Sequence, residues 1–193
     1  MKSFSETERY LYNLNPDSLV IDGGGYHGNW FAQMFNLYAC NIQVFEPAIG
    51  FYCECTKRAY EIELESEVKK IHCFNKGLWA TNCELKFRIR GDSTGIFADS
   101  GEPETVNVVD IAGVIENAVH VDVLKLNIEG AEYDVIERMC KTGMVKQVDN
   151  VQVQFHNNFP GAMGRYKKIC AMIEETHESE WDSGFVWQNF RKR

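Results

Sequence analysis

The sequence predicts an α/β fold: a mostly parallel, twisted sheet with helices on both faces and a C-terminal antiparallel hairpin. Three observations carry this reading. Short apolar runs alternate with longer stretches of helical spacing, the signature of β-α-β units stacked into a covered parallel sheet. Glycines follow the first apolar run directly, in "LVIDGGGYHGNW" from Leu19 to Trp30, as a tight strand-to-helix turn requires. The tail "SEWDSGFVWQNF" places aromatic segments on either side of Asp182-Ser183-Gly184, a turn sequence that reads as a hairpin.

The elements follow in order. Phe4–Leu14 has apolar residues at roughly helical spacing, with Ser5 ahead of Glu6 and Glu8 as an N-terminal cap. Ser18–Asp22 reads as a buried strand between Pro16 and the glycines. Asn29–Ala39 is a helix with Phe31, Met34, Phe35 and Tyr38 on one face. Asn41–Pro47 is the second strand, stopped by its proline, and Gly50–Glu65 is the helix after it. Val68–Trp79 holds a third strand, and Cys83–Arg90 alternates Leu85, Phe87 and Ile89 against charges as a half-exposed strand. Gly91–Glu104 is rich in Gly, Ser and Asp and reads as a loop, long and polar enough for a lid. Thr105–Asn117 gives a short strand and a helical turn, Val121–Cys140 a strand, turn and helix, Val148–Asn157 a strand, and Ala162–His177 a helix. No linker or internal repeat divides the chain, so residues 1–193 read as one domain, which would also suit one module of a longer polypeptide.

Composition narrows the function. Hydrophobic residues make up 45% and charged residues 25%, an ordinary globular profile. The net charge of −8 argues against nucleic acid as a partner, because phosphate contacts demand a basic face. No apolar run approaches the ~20 residues of a membrane span, and the N-terminus has no apolar signal core; a cytoplasmic location is expected. The seven cysteines are odd in number and several sit in apolar runs, as buried thiols do in a reducing compartment. Cys53-x-Cys55 lacks the second pair or nearby His that would complete a metal site, so no metal ligands are assigned and a metal requirement stays open.

The glycine loop fits two fingerprints. Gly23, Gly25 and Gly28 spell G-x-G-x-x-G, the pyrophosphate turn of dinucleotide enzymes. Asp22, Gly24 and Gly28 spell D-x-G-x-x-x-G, which suits the amino acid end of S-adenosylmethionine. A carboxylate immediately before the glycines repels a pyrophosphate but attracts an ammonium and a sulfonium, so Asp22 favours the methyl donor. Glu46 ends the second strand, 24 residues after Asp22. It is placed to accept from ribose hydroxyls, which suits either ligand and disfavours only a 2′-phosphate.

Further segments carry a family resemblance. "DVLKLNIEGAEYDVIERM" (Asp122–Met139), "VFEP" ending at Pro47, the framework of "DGGGYHGNW" and "VQFHN" (Val153–Asn157) appear in order. Together they resemble the FkbM family of methyltransferases, with its L-K-I-D-V-E-G-A-E, F-E-P, D-V-G-A-N-x-G and E-F-H motifs. The resemblance implies a Rossmann-like class I methyltransferase fold and S-adenosyl-L-methionine as cofactor, with S-adenosylhomocysteine as product. It implies O-methylation of a hydroxyl, on a sugar or glycan such as a deoxyhexose or on a secondary metabolite. It further implies that Asp22, Gly24, Gly25, Tyr26 and Gly28 line the methionine end, Glu46 and Pro47 the ribose, and Asn75 and Lys76 the adenine. Asn127 and Glu129 would lie beside the methyl group. Tyr26, Asn127 and Gln154 stand where the family has Asn, Asp and Glu; an amide at 127 cannot be a base and is a weak ligand for a hard cation.

An alcohol acceptor calls for a general base. His156, at a strand's carboxyl end and with an ordinary pKa near ~6.5, is the first candidate, and Glu129 the second. Glu129 alternatively holds its own turn by pairing with a backbone amide or Lys125. Trp181 and Trp187 on the tail hairpin are candidates for substrate or partner contact, whereas Trp30 and Trp79 read as core. Two other functions use the same residues: an NAD-dependent oxidoreductase or epimerase on G-x-G-x-x-G, and a domain that binds S-adenosylmethionine without catalysis.

Overall fold

The computed structural model describes residues 5–89, 102–157, 159–184 and 186–193. Its main sheet has seven strands in the order β3-β2-β1-β7-β8-β10-β9. These are β1 (Leu19–Gly23), β2 (Asn41–Phe45), β3 (Ile71–Phe74), β7 (Val121–Leu126), β8 (Val148–Gln154), β9 (His177–Asp182) and β10 (Trp187–Lys192). The strands from β3 to β8 pair in parallel, and β10 runs antiparallel to both neighbours. The sheet is thus mostly parallel with an antiparallel C-terminal edge, as the alternating pattern and the tail turn predict.

Helices cover both faces. Side chains alternate along a strand, so β1 sends Val20 to one core with Trp30, Phe31, Met34 and Phe35 of α1 (Asn29–Tyr38) and Cys55 and Ala59 of α2 (Ile49–Ser66). It sends Ile21 to the other, with Ile115 of α3 (Ile111–Ala118), Tyr133 and Ile136 of α4 (Glu132–Thr142) and Ile169 of α5 (Ala162–Ile173). One level of the sheet is polar. Asp22, Lys125, Gln152 and Asn189 stand side by side in register across β1, β7, β8 and β10, all buried. The Tyr12 hydroxyl, from the N-terminal segment, donates to Gln152 Oε1 at 2.6 Å.

Two expectations change. The helix expected over Phe4–Leu14 is a single 3-10 turn, Glu6–Tyr10, with Ser5 and Glu8 forming its capping box; Tyr10 at its end and Tyr12 and Leu14 beyond it pack against the α1 core. The single strand expected within Val68–Trp79 is two. After β3 the chain turns at Asn75-Lys76, and β4 (Gly77–Trp79) joins a separate small sheet with β5 (Cys83–Ile89) and β6 (Glu102–Asp110), in the order β4-β6-β5. The end of the expected loop, from Glu102, belongs to β6; the proposed lid before it lies outside the described residues.

Candidate active site

A cavity of about 330 Å³ opens at the carboxyl ends of β1, β2 and β7, where ligands bind in open α/β sheets. Its wall includes Gly24 and Tyr26 from the glycine loop, Glu46 and Pro47 after β2, Phe51 of α2, and Asn127 and Glu129 after β7. Gln154 closes one side; Gly77, Leu78 and Phe87 of the small sheet close another. The small sheet is fastened to this site, since Glu104 Oε1 accepts from the Ile49 amide at 3.0 Å.

The glycine loop is shaped from below. Asp22 is fully buried and does not reach the cavity wall; its Oδ1 takes a hydrogen bond from Lys125 Nζ at 2.8 Å. Burial pushes the Asp22 carboxyl up and the Lys125 ammonium opposes this. The same ammonium donates to the Gly24 carbonyl at 2.8 Å. Lys125 therefore pairs with Asp22, not with Glu129, and staples the loop of β1 to β7. Gly24 has φ +81°, and a Cβ there would lie 2.0 Å from the Asn127 carbonyl oxygen, so only glycine lets the two loops close up. Gly25 is packed on Val44 and Cys55, and Gly28 (φ +76°) against Phe31 and Arg58; both shape the turn from behind the wall.

Glu46 is nearly buried and holds the loop from the other side. Its Oε2 accepts from the Tyr26 amide and its Oε1 from the Ala48 amide, both at 2.9 Å. Burial raises its pKa, and the two amides counter that rise. Tyr26 takes a left-handed φ of +50° and sets its ring against His27 and Phe51, with centroids 3.8 and 4.5 Å away. Asn75 lies behind the wall, donating from Nδ2 to the carbonyls of Glu46 and Pro47 at 3.1 and 2.8 Å. Lys76 is exposed beside it.

Across the cavity stands an acidic and imidazole group. Glu129, again at a left-handed φ of +54°, places Oε1 3.2 Å from His156 Nε2. His156 Nδ1 lies 3.2 Å from Oε1 of Glu132. Glu132, in the first turn of α4, is fully buried; it accepts from the His156 amide and, through Oε2, from the Gly130 amide, both at 2.8 Å. Burial would lower the His156 pKa, but the hydrogen bonds and charges of Glu129 and Glu132 more than reverse this and raise it to about 10. With a carboxylate oxygen 3.2 Å from each ring nitrogen, the ring is placed to hold both protons and donate on both sides. Glu129 reaches the cavity, and His156 stands behind it.

Sequence reasoning misses Lys125 and Glu132 as members of the site. The signal was present, since both lie in the Lys125–Glu132 stretch that carries the family motif. Trp181 and Trp187 are corrected: both are buried, at 6% and 7% exposure. Trp187 lies under the Arg9 guanidinium, 3.8 Å from its ring centroid. Neither indole is among the residues that line the cavity. Among the described residues, one group with metal-ligand chemistry, His120, Asp122 and Asp149, lies at the amino ends of β7 and β8, away from this cavity.

Residues 22–193 match the family model of the FkbM methyltransferase domain. The chain belongs to the FkbM methyltransferase family. Its cofactor is accordingly S-adenosylmethionine, and the site fits such a ligand: a glycine-lined approach at Gly24, a carboxylate at Glu46 and a cavity of small-molecule size. Solved structures share the fold at low identity. The FkbM methyltransferase from Methylobacillus flagellatus KT is 12% identical with a TM-score of 0.64, over 93% of this chain and 44% of that one; this chain thus spans less than half of that protein's length. A putative rRNA methylase from Clostridium thermocellum is 9% identical with a TM-score of 0.58, over 93% and 88% of the two chains. Magnesium protoporphyrin IX methyltransferase from Synechocystis PCC 6803, solved with SAM bound, is 9% identical with a TM-score of 0.51, over 91% and 69%. A search of curated protein sequences returns no significant match. No helix among the described residues is long and apolar enough to cross a membrane.

Proposed function

We propose that this FkbM-family domain is an O-methyltransferase that acts on a hydroxyl of a sugar or glycan, such as a deoxyhexose. One observation carries the reading: Glu129 lines the same cavity as Gly24 and Tyr26 of the glycine loop, and its Oε1 is held 3.2 Å from His156 Nε2. Held by Gly24, Glu46 and Pro47, S-adenosylmethionine would supply a methyl group activated by its sulfonium, the C–S electron pair leaving with sulfur. The residues of this chain do the rest. Glu46 accepts from the ribose hydroxyls, Pro47 and the Gly24–Gly28 turn pack along the cofactor, and Asn127 flanks the reacting end. Asn75 acts from behind the wall, holding the carbonyls of Glu46 and Pro47, and the exposed Lys76 next to it is the residue left to approach the adenine. Asp22 acts through Lys125, which fixes the Gly24 carbonyl.

Glu129 would take the hydroxyl proton of the acceptor and become a neutral carboxylic acid. His156, as an imidazolium, orients Glu129 and is not itself the base. The amides of Asn127 and Gln154 can donate and accept around a polyol, and Tyr26, Phe51 and Phe87 offer apolar faces to a sugar ring. The net charge of −8 weighs against RNA as acceptor.

Two measurements test this. S-adenosylhomocysteine should raise the melting temperature and NAD should not; a shift with NAD alone sinks the methyl-donor reading. A panel of deoxyhexosides, nucleotide-linked sugars, an RNA oligonucleotide and a porphyrin acid is then assayed with labelled methyl donor. Turnover confined to RNA or porphyrin removes the sugar assignment. Cofactor binding with no turnover on any hydroxyl favours a binding domain without catalysis.

A further inference from the structure

We propose that Glu132 is a positioning residue that works through His156: it takes one ring N–H so that the other is aimed at Glu129. The proposal deepens the assignment of Glu129 as proton acceptor and rests on it for its effect on turnover, but the arrangement itself is tested separately.

The geometry is directional. Glu132 is fully buried and both of its oxygens are engaged, Oε2 with the Gly130 amide and Oε1 with the His156 amide at 2.8 Å. That same Oε1 is 3.2 Å from His156 Nδ1. Glu132 therefore fixes two things at once: the end of β8, where His156 sits, and the turn that carries Glu129. With Nδ1 held, the ring has one direction left for Nε2, and Glu129 Oε1 is 3.2 Å along it. Glu129 is in turn held at a left-handed φ of +54°, a conformation that costs a non-glycine residue energy and persists only where neighbours enforce it.

A buried carboxylate needs compensation, and a histidine between two carboxylates supplies it by staying protonated. The groups that face His156 are consistent with this. Glu129 comes from the loop after β7 and Glu132 from α4. Tyr133, also from α4, donates its hydroxyl to the His156 carbonyl at 2.7 Å. From α5, Arg165 lies over the Tyr133 ring at 5.2 Å and is paired with Asp134 at 2.6 Å, so its charge is answered before it reaches the imidazole. The raised His156 pKa agrees with the geometry. A carboxylate–imidazolium–carboxylate chain carries net charge −1, and its outer end is the one on the cavity wall.

The consequence for turnover is specific. Without Glu132 the ring loses its Nδ1 acceptor and releases its proton at lower pH. The neutral ring is then free to rotate, and Glu129 loses its fixed partner.

The test is a titration of the His156 ring by heteronuclear NMR in wild type and Glu132→Gln, each checked for cooperative unfolding. In wild type the ring should stay protonated well above pH 7. In Glu132→Gln its midpoint should fall by at least about one unit, a tenfold change in proton affinity. In the same variant kcat should acquire a new ionisation near neutral pH, with KM for S-adenosylmethionine unchanged. A wild-type ring that titrates near an ordinary histidine overturns the proposal, and so does a midpoint that Glu132→Gln leaves in place. Should Glu132→Gln fail to fold, Glu129→Gln completes the case: wild type must still show the raised midpoint, and removing only the outer carboxylate must leave part of the elevation, the part Glu132 supplies. If Glu129→Gln retains full turnover while the titration behaves as expected, the base assignment fails and the role of Glu132 stands.

Discussion

Lys125 Nζ sits 2.8 Å from Asp22 Oδ1, both side chains are shut off from solvent, and the residues face each other in register across β1 and β7. Removing the lysine alone leaves a buried carboxylate unpaired. Lys125→Met should therefore cost about 3–5 kcal/mol in denaturant unfolding. The double variant Asp22→Asn/Lys125→Met should recover part of the loss. A single variant as stable as wild type would show that the pair carries little.

Gly24→Ala should abolish cofactor binding. The new Cβ would stand 2.0 Å from the Asn127 carbonyl oxygen, and φ is +81°. The left-handed conformation alone costs about 1–2 kcal/mol, and relief of the clash must push the loops of β1 and β7 apart. Calorimetry with S-adenosylhomocysteine checks this; wild-type affinity would mean the cavity tolerates the separation.

Glu46→Ala should weaken S-adenosylhomocysteine binding about tenfold to a hundredfold, the worth of hydrogen bonds to a charged group. It also strips acceptors from the Tyr26 and Ala48 amides, so a modest loss of stability should accompany it. Unchanged affinity would move the ribose elsewhere in the cavity.

The His156 pKa predicts a pH dependence of stability. It is raised to about 10 in the folded protein, above its unfolded value near ~6.5. The folded state thus holds its proton more tightly, and the stabilisation is complete below about pH 6.5. It is lost as pH rises toward and through 10. The gap in melting temperature between wild type and His156→Gln should be widest at pH 6 and shrink by pH 10. A gap that widens with pH would contradict the protonated ring.

Trp181→Phe and Trp187→Phe should leave KM for the acceptor unchanged and lower stability, because both indoles are buried. An acceptor KM that rises severalfold in either would return the hairpin to the substrate site.

What the sequence made legible was local. The β1 strand, its glycines and Glu46 are adjacent features whose spacing speaks for itself, and the motif around Glu129 names its own neighbourhood. Interactions across the chain were not legible. Asp22 reads as a ligand for a cation, and it is one, but the cation is Lys125, 103 residues away. His156 reads as a base because nothing in "VQFHN" shows that two carboxylates from another segment will hold it protonated. The small sheet was missed because β4 has only three residues, too few to show a period apart from β3. The N-terminal segment has apolar residues at helical spacing, yet its helix is one 3-10 turn, and Tyr10, Tyr12 and Leu14 pack on the α1 core.

The place of β1 between β2 and β7 has a kinetic meaning. Its pairing with β2 bridges a short stretch of sequence, whereas its pairing with β7 joins Asp22 to Lys125 across about half the chain. Such distant contacts form slowly because closing the long loop between them costs chain entropy before any contact offsets it. The glycine turn and Glu46 can assemble early, but the Gly24 carbonyl has no anchor and Glu129 no opposite wall until β7 docks. In stopped-flow refolding, S-adenosylhomocysteine binding should therefore appear only with the last phase, and ligand added to the refolding chain should accelerate nothing before it.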